Sequence, residues 1–177
     1  MRSALLALIL CLAPGLAMAA SRTFTYDSDS PAAKSLTGAG LTLTVDQGLL
    51  GGVSLKLIQA TAVPVAVEVT GVDRKDEAGL RARLPDRAAV GSVYEVVRSV
   101  QQGEVLSRAF CPGSTRVWLA ASPISYGRSL KLWAVGAGAD GAKILCAEMV
   151  FAWRGEWRTL PDRKPPAIRG ASPSRGF

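Results

Sequence analysis

From residue 41 the chain alternates between apolar and polar side chains. Leu41, Leu43 and Val45 are separated by Thr42 and Thr44; Val53, Leu55 and Leu57 by Ser54 and Lys56; Val63, Val65, Val67 and Val69 by Pro64, Ala66, Glu68 and Thr70. Successive side chains of a strand point to opposite faces, so this period of two predicts three half-buried strands. Gly48 and the Gly51-Gly52 pair supply the first turn. Pro64 has no N–H to give to a ladder, which makes the third strand an edge or a bulged one. Upstream, residues 23–26 form a short candidate strand that ends in the turn sequence Asp27-Ser-Asp29-Ser-Pro31.

The character changes over residues 73–84. An acidic start (Asp73, Asp76, Glu77) and a basic finish (Arg81, Arg83) before Pro85 suit the dipole of a short helix of about two turns. Residues 92–110 fit two templates, because Val93, Val96, Val97 and Val100 have helical spacing while Tyr94-Glu-Val-Val-Arg also reads as a strand. The expected division is a strand up to Val100 and a short helix from about Gln101 to Phe110, stopped by Cys111-Pro112-Gly113. Three further strands follow at 115–121, 129–135 and 143–153, separated by glycine-bearing loops that suit consecutive antiparallel hairpins. The expected fold is mainly β (α+β being the variant): an antiparallel sheet or sandwich with one or two short helices.

Sorting the last three strands by face gives an apolar side: Val117, Leu119, Ala121, Leu130, Leu132, Ala134, Leu145, Ala147, Met149, Phe151 and Trp153. The other side is mixed and carries Arg116, Trp118, Lys131 and Trp133 together with Cys146 and Glu148. Two readings of the mixed side stay open. Either a helix or the N-terminal strands cover it and the indoles are core, or it is open and Arg116, Trp118, Lys131 and Trp133 form a stacking platform flanked by cations. Such a platform suits sugar rings or an aromatic or anionic partner.

The ends of the chain differ from its body. Met1-Arg2-Ser3, an apolar run from Ala4 to Leu12, a break at Pro14-Gly15 and the small-residue pattern Ala17-Met18-Ala19 predict a secretory signal segment over 1–19. The apolar run falls short of the roughly 20 residues a spanning helix needs. Removing it leaves Cys111 and Cys146, and an even pair in an oxidising compartment predicts one disulfide. A single β-rich domain is then expected over 20–161, followed by a flexible basic tail over 162–177. The formal net charge of +7 belongs mostly to the end of the chain, where residues 154–177 hold six cations against two acids.

Composition narrows the chemistry. The chain has no histidine, which excludes Ser-His-Asp and Cys-His machinery and His-ligated zinc. Gly136-Ala-Gly138-Ala-Asp-Gly141 matches the spacing of a dinucleotide fingerprint but runs into Ala-Lys-Ile-Leu-Cys-Ala, a strand rather than a helix, so it reads as a hairpin turn. No serine stands three residues before a lysine. Asp27-Ser-Asp29-Ser lacks the further oxygens of a calcium loop. Asp73, Asp76, Glu77 and Glu148 are the carboxylates a hydrolase would need, one kept protonated and one ionised. The expectation is an exported, periplasmic or secreted, non-enzymatic binding or envelope accessory protein with no cofactor, no metal and no nucleic-acid partner. Its partner would be an envelope glycan, an anionic polymer or another envelope protein, and a carboxylate-dependent hydrolase of envelope polymers is the alternative.

Overall fold

The computed structural model describes residues 20–48 and 52–157. The signal segment expected at 1–19 and the tail expected at 162–177 lie outside the described residues. Eight strands run in sequence order around a closed, fully antiparallel barrel: β1 (Ala20–Ser28), β2 (Gly40–Gln47), β3 (Val53–Ala60), β4 (Val63–Gly71), β5 (Ser92–Val96), β6 (Arg116–Ala121), β7 (Leu130–Ala137) and β8 (Lys143–Trp157). The fold is therefore mainly β, and its sheet is closed rather than open or folded into a sandwich. Closure comes from β1, which pairs with β2 on one side and with β8 on the other, from Thr23 opposite Trp157 to Ser28 opposite Phe151.

The barrel interior is apolar. Phe24, Tyr26, Leu41, Leu43, Val45, Leu55, Ile58 and Val67 fill it together with Val117, Leu119, Leu130, Leu132, Met149 and Phe151. Thr42, Thr44, Lys56, Glu68 and Thr70 alternate with these residues and face outward, the reverse of the apolar outer band of a membrane-spanning barrel. No helix among the described residues is long and apolar enough to cross a membrane. Tyr26 is 2% exposed, and burial pushes its phenol up to about 12. An unfolded tyrosine ionises near pH 10, so the stability that this burial gives is complete below about pH 10. It is lost progressively as pH rises towards 12. Alkaline denaturation should therefore steepen over that interval and flatten in Tyr26→Phe, as urea titrations at pH 8, 10 and 11.5 would measure.

Three helices are inserted between strands: α1 (Pro31–Thr37), α2 (Arg74–Arg81) and α3 (Gln101–Phe110), with a single 3-10 turn at Arg87–Ala89. α2 falls within the segment that the charge order marks, and α3 spans the expected Gln101–Phe110, while Val93 and Val96, which also fit helical spacing, lie in β5. The strand before α3 ends at Val96 rather than Val100, because residues 97–100 form the connection into the helix. α1 departs from the expected turn: Ser30 Oγ accepts from the Ala33 N–H and Pro31 occupies the first helical turn. Ser30 Oγ also accepts from the Val150 N–H at 3.0 Å, which ties α1 to β8. Pro64 is accommodated by a bulge. Ala60 pairs with Val63 and Ile58 with Val67, so extra β4 residues fall opposite Gln59 and the strand is bulged, not an edge.

α3 packs its inner face on the barrel interior, with Leu106, Phe110 and Cys111 buried in the same cluster as the strands. Two glycines permit that approach: a Cβ at Gly103 would collide with the Val97 carbonyl, and one at Gly136 with the Ser114 hydroxyl. Cys111, just past the end of α3, is bridged to Cys146 on β8. A second bulge makes this possible. Ala134 pairs with Ala147 but Val135 with Leu145, so Cys146 is the extra residue of β8 and packs towards the interior cluster. The same bulge exposes Leu145, expected on the apolar face, at 39%.

Candidate functional site

The outer face of β5, β6 and β7 carries the side chains singled out from the sequence. Trp118 stands opposite Val135 on β7 and Glu95 on β5, and Trp133 stands opposite Ala120 on β6 and Glu148 on β8. The two indoles are thus diagonal neighbours on one face, close enough to share a cover. That cover is the excursion from Val72 to Gly91. Leu80 of α2, Leu84 and Val90 pack with Val93, Trp118, Ala120, Trp133, Val135 and Ala137 into a second apolar cluster outside the barrel. Trp118 is 1% exposed and Trp133 is not exposed at all. The open stacking platform is therefore corrected: a helix covers the face, and it is α2 rather than the disulfide-linked α3.

The cover is a polar element held by few apolar contacts. Leu80, Leu84 and Val90 are its only fully buried side chains. Asp73 Oδ1 caps α2 by accepting from the Asp76 N–H at 2.9 Å. Glu77 accepts from Arg81, which also donates to the Val90 and Gly91 carbonyls at 2.6 and 2.9 Å and so folds the excursion back on itself. These contacts give Asp73 and Glu77 structural work, and Glu148 lies exposed on β8. Asp73, Asp76 and Glu77 belong to the cap and first turn of α2, and Glu148 stands on β8 opposite Trp133.

At the rim, Arg116 lies over the Trp118 ring, 4.7 Å from its centroid, and Lys143 Nζ approaches the same ring to 5.4 Å. Arg116 donates to both carboxylate oxygens of Glu95, at 2.8 and 2.6 Å. That hydrogen bonding raises the guanidinium pKa above its ordinary value against the opposing pull of desolvation. Both indole N–H groups, Trp118 Nε1 and Trp133 Nε1, are buried without an acceptor among the described residues.

Lys131 belongs to a different place. It lines a surface recess of about 360 Å³ with Ser122, Pro123, Ser125, Arg128 and Ser129, formed by the loop between β6 and β7. A turn from Ser125 to Arg128 builds the loop, with Gly127 at φ +71° as its third residue and the Arg128 N–H reaching the Ser125 carbonyl. Ser122 Oγ accepts from the Lys131 N–H at 3.0 Å and fixes the recess to the strand ends. Among the described residues no carboxylate lies within ion-pair distance of Arg128 or Lys131. Alternation points to Lys131 but not to Arg128 and the three serines, whose only signal in the sequence is a Ser-Tyr-Gly-Arg turn between two strands. Tyr126 of that turn is 67% exposed and meets Trp153 edge-on, with ring centroids 5.2 Å apart.

No protein-family model, curated protein or solved structure matches this chain. The site must be read from its own chemistry. Of the four residues singled out from the sequence, the fold brings Trp118 and Trp133 together under α2, puts Arg116 at the exposed rim over Trp118 and leaves Lys131 in the recess beside Arg128. Gly136 is a β7 residue opposite Ile144, and residues 138–142 form the β7–β8 hairpin turn, with Gly141 at φ +75° and Asp140 Oδ1 accepting from the Ala142 N–H.

Proposed function

We propose that this chain is an exported, non-enzymatic binding protein of the cell envelope that takes an anionic group of an envelope polymer in the recess between β6 and β7. The observation that carries this reading is the pairing of Arg128 and Lys131 around serine hydroxyls with no carboxylate neighbour among the described residues. Two unneutralised cations beside hydroxyl donors favour phosphate or carboxylate groups by charge and by hydrogen bonding. Export is supported by the charged, apolar and small-residue order of positions 1–19 and by the Cys111–Cys146 bridge, which suits an oxidising compartment.

Titration of the protein with polygalacturonate at low and moderate salt tests the reading. The Arg128→Ala/Lys131→Ala double variant is expected to bind at least about tenfold more weakly, with a shallower salt dependence, and to keep the parent melting temperature. Equal affinity of parent and double variant would refute the recess as the binding site.

A further inference from the structure

We propose that the Trp118–Trp133 face is a second, covered binding site for a carboxylate-bearing sugar ring, and that the segment from Val72 to Gly91 is its lid. The inference rests on the reading of the protein as a binder of anionic envelope polymers but concerns a different surface from the recess.

Three observations point to it. First, both indole N–H groups are buried and donate to nothing among the described residues. A buried donor without an acceptor is costly, and nothing in the cover supplies an oxygen to either one. A sugar offers what the lid lacks, because its ring C–H faces lie flat on indoles while its hydroxyl and ring oxygens accept from Nε1.

Second, the rim has a cation in reserve. Arg116 is committed to Glu95, whereas Lys143 has no carboxylate within ion-pair distance among the described residues. Its ammonium sits beside the Trp118 ring under α2, where a Cβ on Gly79 would lie 3.6 Å from Nζ. A carboxylate on a stacked sugar would meet that ammonium.

Third, the lid can leave without opening the barrel. Its two ends are pinned to the sheet, the Val72 N–H on the Val93 carbonyl and the Gly91 N–H on the Ala121 carbonyl. The β4–β5 and β5–β6 ladders lie outside the excursion. Between those pins only Leu80, Leu84 and Val90 are fully buried, the kind of segment that opens locally while the rest of the fold holds. Ligand then selects the open population, and its apparent affinity is the intrinsic affinity multiplied by the fraction of time the lid is open.

Hydrogen exchange read by mass spectrometry, with and without tetragalacturonate, tests the lid in the intact chain. Exchange over 72–91 should rise several-fold with the tetrasaccharide while the barrel strands stay as protected as before. Leu80→Ala, which loosens the lid and leaves the barrel cluster untouched, should bind the tetrasaccharide about three- to tenfold more tightly. Lys143→Ala should reverse that gain. The same measurements in the Arg128→Ala/Lys131→Ala background separate the two sites, because the lid response persists there whether or not the recess binds. Unchanged exchange over 72–91 together with unchanged affinity in Leu80→Ala would overturn the proposal.

Discussion

Replacing the bridge with Cys111→Ala/Cys146→Ser is expected to cost about 3–4 kcal/mol of stability, because the bonded residues are separated by 35 positions and an unfolded chain freed of that closure gains the corresponding entropy. For a domain of this size the melting temperature should fall by roughly 10 °C. The bridge also fixes α3, whose Leu106 and Phe110 fill part of the barrel interior, to β8. Loss of the bridge should therefore raise exchange first in α3 and only afterwards in β1 to β4. Thermal melts of the parent and the double variant decide the matter, and superimposable curves would mean that the bridge contributes nothing. The double variant is a cleaner reagent than a reductant, since Cys111 is fully buried.

Trp133→Ala should destabilise the protein by about 3–5 kcal/mol, the range found when a large aromatic is removed from a packed interior. Trp133 has no exposed surface, and it lies in the outer cluster between Ala120, Val135 and the residues of the α2 segment. Trp133→Phe separates packing from polarity: it keeps an aromatic ring and removes a donor that has no acceptor, so its cost should stay below about 1.5 kcal/mol. Urea titrations of the three proteins measure both values. A stable Trp133→Ala would mean that α2 does not cover this face in solution.

Much of the barrel's inside could be read from the chain. Val117, Leu119 and Ala121, then Leu130, Leu132 and Ala134, then Met149 and Phe151, were assigned to one apolar face by alternation and line the interior. Their neighbours on the outer face were harder. Alternation reports that Trp118 and Trp133 share a side, but not whether something lies on them, and the element that does is polar apart from Leu80. Bulges were invisible for a related reason. A strict period of two has no place for the extra residue at Cys146, so alternation puts Leu145 inside and Cys146 outside. α1 was hidden because Ser30 and Pro31, which start it, are also turn formers. Closure left no local mark at all: β1 and β8 pair across almost the whole described chain, and only the shared apolar face hints that they meet.

That last pairing sets an order of events during synthesis. β1 leads the described chain and β8 ends it, with Arg22 clasping Glu156 through its guanidinium at the seam. Until β8 has emerged, β1 and β7 each present an unpaired edge, and the ring cannot close. The nascent polypeptide must therefore wait in an open, adhesive form for β8. A truncation that removes the whole of β8 should yield a sticky sheet rather than a smaller barrel.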